Sequence, residues 1–403
     1  MYVPKLRFKE FNDEWQNIDL KNVFEYFSTN SLSRDQLSDS GIIKNIHYGD
    51  IHRKYSSVVD VGNDVETYIK DINYNNKYEY CKDSDLIFAD ASEDYEGIGK
   101  VIELNNIKCN TVSGLHTILA RDKQNLFAPM FKGYYFNSPS IHNQIRILAN
   151  GFKVYGISKD SINKLNINIP TKEEQSKIAR TLYLLDKKIE LQTKKIEDLK
   201  LFKKGLLYTI FNSKKVNSNI ENCIDYGKAG GTPLSSNKDY YDGTIPFLSI
   251  TDITNQGKYI FSTEKMISQK GLDNSSAWLI PKDSLILSMY ASYGLVAINK
   301  IELSTSQAMF NMIINKNNNV EYIYYYLEYL YENNYYDKLV STGTQSNLNA
   351  DKVKKIKIYL PNLEEQNKIS IIFKCIDNKI NCEFEKLKNL NKLKKGLMQK
   401  MFV

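Results

Sequence analysis

The sequence predicts a mixed α/β (α+β) chain built twice over: two globular domains, each followed by a long helix, with the two helices pairing as an antiparallel coiled coil in an internal pseudo-twofold repeat. Three observations predict this. A 42-residue segment recurs without a gap. Both copies carry matched apolar seams at helical spacing. The segments in front of them are weakly alike and rich in short β-type runs.

The repeat comes first, because a missed repeat misassigns a fold. PTKEEQSKIARTLYLLDKKIELQTKKIEDLKLFKKGLLYTIF, from Pro170, returns from Pro361 as PNLEEQNKISIIFKCIDNKINCEFEKLKNLNKLKKGLMQKMF, at an offset of 191 with 16 of 42 positions identical. In each copy a proline precedes Glu-Glu, whose carboxylates complement the positive end of a starting helix. Ile178, Leu182, Leu185, Ile189, Ile196, Leu199 and Leu206 follow 3-4 spacing in the first copy. Ile369, Phe373, Ile376, Ile380, Leu387, Leu390 and Leu397 take the equivalent places in the second, which makes a coiled-coil seam. Both seams are interrupted at the same two positions, by Gln192 and Lys203 and by Glu383 and Lys394; polar seam residues typically fix register or partner. A single amphipathic helix of this kind can simply pack on its own domain. Each of these would be about 60 Å long, longer than a small domain is wide, so the other copy is the simplest partner. The expected segments are a globule at 1–169, a long helix at 170–212, a second globule at 213–360 and a second long helix at 361–403.

The globules correspond more faintly. LKNVFEY at 20–26 resembles IENCIDY at 220–226, DSDLIF at 83–88 resembles KDSLIL at 282–287, and DSINKLNINIP at 160–170 resembles DKVKKIKIYLP at 351–361. The offset drifts from 200 to 191, which places about nine extra residues in loops of the first globule. Runs such as VSGLHTILA and SLILSMYAS, bounded by Gly, Asn and Asp turns, predict twisted sheets with a few helices, one of them over 320–332.

Composition fits this plan. A chain of 403 residues divides into two or three folding units at about 100 to 200 residues each. Hydrophobic content of 42% with 25% charged residues is that of a globular protein in water, and no apolar run approaches the roughly 18 residues of a membrane span. The opening MYVPKLRFKEFNDEW lacks the apolar centre of a secretory signal, so a cytoplasmic location is expected. Five cysteines, at 81, 109, 223, 375 and 382, contain no C-x-x-C pair and read as reduced thiols, neither a disulfide framework nor a zinc site. The 29 tyrosines accompany an Asn, Lys and Ile bias and decide nothing alone.

Catalytic signatures are absent. Gly97-Ile-Gly99-Lys100 lacks the upstream glycine and the following hydroxyl of a phosphate loop. The glycine-rich stretch Gly227 to Thr232 has no helix opening behind it, as a dinucleotide site requires. His47, His52, His116 and His142 are too scattered to argue for a metal, and Ser113 near His116 lacks the G-x-S-x-G elbow of a nucleophile.

Charge is placed unevenly. The net +7 comes from 54 basic and 47 acidic residues; the two helical copies carry +8 between them, which leaves the globules with 35 basic against 36 acidic. A protein that binds nucleic acid by charge alone would spread lysine over its globules. Near-neutral globules instead suit reading of base edges by neutral side chains and loops, with helix lysines facing a backbone or an acidic partner. For any one of these lysines, a solvated helix face is the plain alternative.

The duplicated domain followed by P-x-x-E-E-Q-x-K-I and, about 30 residues on, K-K-G-L, together with PKLRFKEF and a following Trp, GGTPLSS and P-F-L-S-I-x-D-I at 246–253, resembles the specificity subunits of type I restriction-modification systems over essentially the full chain. The resemblance implies two target-recognition domains, each reading one half of a bipartite double-stranded DNA site, while the paired helices set the gap and dock two modification subunits. Because the two domains differ strongly, the site should be asymmetric. Half-sites on one face of DNA lie about 34 to 36 Å apart, which an antiparallel overlap of roughly 23 helical residues would span. The resemblance further implies that this chain is not itself an enzyme and holds no cofactor. Adenine methylation with S-adenosylmethionine belongs to modification subunits, and ATP- and Mg-dependent translocation and cleavage to restriction subunits. The missing phosphate loop, and the lack of an N-P-P-Y or D-P-P-Y string, agree with this.

Candidate DNA contacts are His47, Tyr48, His52, Arg53, Lys54 and Tyr55 in the first domain, and Tyr290, Ser292, Tyr293, Thr344, Gln345 and Ser346 in the second. Arg53 and Gln345 stand out because their side chains pair with guanine and adenine edges; the competing reading of each residue is a loop side chain that caps a core edge. Candidate docking residues are Glu173, Glu174, Gln175 and Lys177 with their counterparts Glu364, Glu365, Gln366 and Lys368. Two other function classes remain at this point: a divergent methyltransferase or nuclease, which methylation by the purified chain would favour, and a coiled-coil scaffold that binds only proteins, which failure to bind any duplex would favour. An apolar seam left open for partners would make the subunit aggregate when alone.

Overall fold

Four successive apolar residues, Leu86, Ile87, Phe88 and Ala89, are all buried, as in a strand covered on both faces. This strand lies between Val101–Asn105 and Thr117–Asp122, antiparallel to both. Phe24–Phe27 continues the sheet antiparallel beyond one neighbour and Val58–Asp60 parallel beyond the other. The computed structural model describes residues 3–70, 79–151, 154–290, 292–340 and 348–402.

Leu285–Ser288 repeats the arrangement in the second globule. It lies between Val296–Asn299 and Met309–Ile314, with Ile224–Ala229 antiparallel at one edge and Tyr259–Ile260 parallel at the other. The two sheets agree in order and direction, strand for strand. The turn before each central strand is also shared, since Ser84 and Asp283 both take positive φ, 67° and 64°. Each globule adds a smaller sheet, ordered Thr111–Ser113, Lys44–Ile46, Tyr68–Ile69, Leu37–Ser38 in the first and Lys265–Ile267, Ile245–Leu248, Ser304–Thr305 in the second. The helix expected at 320–332 is Val320–Glu332.

The long helices are Lys172–Phe211 and Leu363–Lys400. Each starts just behind its proline, where a side-chain oxygen caps the first turn: Asn362 Oδ1 accepts from the Glu365 N–H at 2.9 Å and Thr171 Oγ1 from the Glu174 N–H at 3.5 Å. The chain divides into two compact units, Met1–Thr193 with Glu385–Val403, and Lys194–Phe384. Each unit thus holds one globule and one half of each long helix.

In the first unit Ile178, Ala179 and Leu182 share a core with Trp15, Phe131 and Tyr135, and Met401 and Phe402 enter that core with Leu397 and Met398 packed against it. In the second unit Ile369 and Phe373 share a core with Tyr322 and Tyr325, and Leu207 and Phe211 enter it with Leu206 and Ile210 packed against it. These last four are the repeat equivalents of Leu397, Met398, Met401 and Phe402. One seam therefore packs both on its own globule and on the other helix, where the sequence had posed these as alternatives. Full burial of each such side chain contributes about 1.5–3 kcal/mol. Further along, Leu185, Ile196 and Ile380 are buried and Ile189, Leu199, Ile376, Leu387 and Leu390 half-buried.

Ion pairs mark the helix pairing. Lys195 meets Glu383 and Lys203 meets Asp377 in the second unit, so rising numbers on one helix meet falling numbers on the other and the helices run antiparallel. In the first unit Asp186 meets Lys394. Three polar seam residues, Lys203, Glu383 and Lys394, are thus ion-paired across the seam. Among the described residues no helix is long and apolar enough to cross a membrane.

Candidate functional site

In the first unit the residues at 47–54 form a short helix, Tyr48–Arg53, raised on the strand Lys44–Ile46. His47 caps it, its Nδ1 accepting from the Gly49 N–H at 3.1 Å, so a neutral ring carries its proton on Nε2. Burial, and then the charge of Arg34, hold this imidazole below its usual pKa against the opposing pull of Asp50. Tyr48 stands against His47 at 4.6 Å, His116 at 5.3 Å and His52 at 6.2 Å between ring centroids. His52 Nε2 meets the Ala91 carbonyl at 3.0 Å and Lys100 donates to the His52 carbonyl at 3.2 Å, which ties the helix to the loop after Leu86–Ala89.

Helix and loop wall a cleft of about 610 Å³ lined by Arg34, His47, Tyr48, His52, Arg53, Lys54, Ser92, Glu93, Asp94 and Lys100 among others. Its cations differ in freedom. Arg34 grips the buried Asp50 with both terminal nitrogens, at 2.7 and 3.1 Å, and Lys54 lies 3.8 Å from the same carboxylate. Arg53 is exposed and meets no partner among the described residues. Tyr55 is a correction: it is 6% exposed and packs with Ile46, Ile51 and Val59, so its ring is core and cannot reach DNA. Arg34, His116 and Lys100 belong to this surface although sequence reasoning passed over them. They come from distant segments, and only the fold gathers them.

In the second unit Ser292 and Tyr293 line a cleft of about 450 Å³ with Lys204, Tyr331, Glu332, Asn334, Tyr336 and Asp337. Tyr293 donates to Asp337 at 2.7 Å, a bond that raises the phenol pKa, and Lys204 pairs with Glu332 at 3.0 Å. Gly294 takes φ +86°, and a β-carbon there would meet the Tyr336 ring at 2.5 Å, so glycine is required for the turn. Tyr290 is exposed but does not line this cleft. Thr344, Gln345 and Ser346 lie outside the described residues.

The expected docking residues divide. Gln175 accepts from the Ala128 N–H at 2.8 Å and donates to the Pro170 carbonyl at 2.9 Å; Gln366 accepts from the Asn319 N–H at 2.9 Å and donates to the Pro361 carbonyl at 2.9 Å. Both glutamines are 1% exposed, and they staple each helix start to its own globule. Glu174 is equally buried and paired with Arg7 of the opening PKLRFKEF. These three are corrected from surface to interior positions. Glu173, Lys177, Glu364 and Lys368 are exposed and Glu365 half-buried; Lys177 Nζ lies over the Phe8 ring at 4.7 Å and Lys368 pairs with Glu364 at 2.6 Å. The GGT glycines are packing sites, since β-carbons at Gly230 and Gly231 would run into the Thr305 carbonyl and the Ala277 nitrogen. Among the described residues no three His, Cys, Asp or Glu side chains gather as metal ligands would.

A family model for the type I restriction modification DNA specificity domain matches the chain twice, over residues 12–201 and 212–395. The chain is similar to the type I restriction enzyme MjaIX specificity subunit of Methanocaldococcus jannaschii, 29% identical over 175 residues, a match that spans 43% of this chain and only 40% of that protein. It is also similar to the putative type I restriction enzyme MjaX specificity subunit of the same organism, 23% identical over 98% of this chain and 94% of the relative. Among solved structures, a type I restriction-modification system S subunit from M. genitalium superposes with a TM-score of 0.60 at 16% identity, over 100% of this chain and 99% of that one. That is a likeness of fold.

Proposed function

The chain belongs to the type I restriction modification DNA specificity family, and from that membership we propose that each globule reads one half of an asymmetric, bipartite double-stranded DNA site. The observation that carries the reading is one sheet built twice under unlike clefts. The first cleft offers an unpaired guanidinium, Arg53, beside a Tyr48 and histidine cluster. The second offers the Ser292 hydroxyl and the Tyr293 phenol beside paired charges. A guanidinium suits the acceptors of guanine in the major groove, whereas hydroxyls accept or donate. Unlike chemistry on like scaffolds supports half-sites of unlike sequence.

In this reading the paired helices set the gap between half-sites, and the exposed residues near their starts, Glu173, Lys177, Glu364 and Lys368, dock two modification subunits. Methylation with S-adenosylmethionine falls to those subunits, and ATP- and Mg-dependent translocation and cleavage to restriction subunits. This chain is non-catalytic and holds none of these cofactors.

The test is genome-wide methylation mapping in cells that carry this chain with its modification subunit, against cells that lack it. A new split, asymmetric adenine motif is expected, and exchange of residues 1–169 should change one half only. A palindromic motif would refute the asymmetric reading.

A further inference from the structure

In each unit one carboxylate gathers three elements. Asp186, on the first long helix, accepts from the Tyr134 phenol at 3.0 Å and pairs with Lys394 of the second long helix at 2.5 Å. Asp377, on the second long helix, accepts from the Tyr325 phenol at 2.7 Å and pairs with Lys203 of the first at 2.7 Å. The tyrosines come from globule helices, Phe131–Phe136 and Val320–Glu332. Each ammonium also lies over its tyrosine ring, at 6.0 Å from Lys394 to Tyr134 and 5.2 Å from Lys203 to Tyr325.

All three residue pairs, Tyr134 and Tyr325, Asp186 and Asp377, Lys203 and Lys394, are separated by 191, the offset of the helix repeat. The globules otherwise share few residues, yet this joint recurs in type and in place. A lysine on an apolar seam and an aspartate beside it cost desolvation that two leucines would not. What a half-buried pair supplies is a single register, because a slide along the seam strands both charges.

We propose that the two Tyr-Asp-Lys joints are positioning elements for recognition: they hold each globule in one axial and rotational setting on the helices and so restrict recognition to one separation of the half-sites. This rests on the bipartite reading above. The second joint is buttressed by Glu328, 2.8 Å from Lys203, and Lys258, 3.7 Å from Asp377. Among the described residues the first has neither, so it is the one to change.

The full chain is reconstituted with its modification subunits and given duplexes that carry the mapped half-sites with the native gap or with the gap shortened or lengthened by a base pair. The wild-type complex is expected to methylate the native gap alone. With Lys394→Met or Asp186→Asn, neighbouring gaps should rise to within about tenfold of the native one, while the half-site sequences stay the same. The exchange Asp186→Lys with Lys394→Asp should restore the single gap. Should Asp186→Asn fail to fold, Tyr134→Phe removes only the phenol and is read the same way. Folded variants that keep the single-gap profile overturn the proposal, even if their activity falls uniformly. Wild-type methylation that ignores the half-sites overturns the bipartite reading itself.

Discussion

Arg7 and Glu174 form a two-pronged ion pair, Nε and Nη2 each donating to one carboxylate oxygen at 2.7 Å. The pair locks the opening segment onto the first turn of a helix that begins 165 residues later in the sequence, and its bond to Glu174 raises the pKa of Arg7. Glu174 is 1% exposed. Arg7→Leu leaves that carboxylate buried and unpaired, and should lower the unfolding free energy by about 3–5 kcal/mol. Denaturant melts check this; Arg7→Leu with Glu174→Gln should recover much of the loss, and a single variant as stable as wild type would refute it.

Gln366 closes the start of the second long helix with a bond to the Asn319 N–H and bonds from its amide to the Pro361 carbonyl and to Asn318 Oδ1 at 3.0 Å. Gln366→Ala strands buried polar groups at about 1–3 kcal/mol. Hydrogen exchange should show the loss at the Asn319 amide first, and an unchanged amide would contradict the staple.

Arg53→Ala should relax the recognised motif at one base pair of one half-site, a loss of about 1–3 kcal/mol. Lys54→Ala, which removes a cation already beside Asp50, should weaken binding evenly across sequences. Methylation mapping of both variants separates the two effects. A motif that Arg53→Ala leaves sharp would move the readout elsewhere in the cleft.

Acid should weaken the first unit through His47. Burial, and then Arg34, hold its folded pKa below the usual value, about 6.5 in an unfolded chain. Below about pH 6.5 the unfolded chain therefore binds more protons, so the contribution of His47 is present above that pH and is lost as pH falls toward the folded value. His47→Asn keeps an acceptor for the Gly49 N–H and should flatten this part of the stability profile. Urea midpoints at about pH 5.5 and 7.5 measure it, and equal slopes in the two proteins would assign the proton uptake to another group.

The helices were legible because a 3-4 rhythm survives any loop variation: Ile178 and Phe373 can be read from spacing alone. The glutamines were misread for a related reason. Gln175 and Gln366 lie three residues ahead of Ile178 and Ile369, in phase with the seam, and a search for apolar residues skips them although their position announces burial. The joint tyrosines escaped because Tyr134 and Tyr325 sit among many aromatic neighbours, and a phenol reveals its partner only once the helix beside it is placed. The first cleft was half legible. His47, Tyr48 and Arg53 lie within seven residues of one another, whereas Arg34, Lys100 and His116 come to it from distant segments.

Met401 and Phe402 lie in the same core as Trp15 and Tyr135, whereas the second unit ends at Phe384. During synthesis the unit translated first is therefore completed last. At about 5–20 residues per second, its core stays open for roughly 10–40 s after its own globule has left the ribosome. Through that interval an apolar surface waits for the closing segment, and it is the stage at which a chaperone, or a second nascent copy offering the equivalent Leu207 and Phe211, would compete for it.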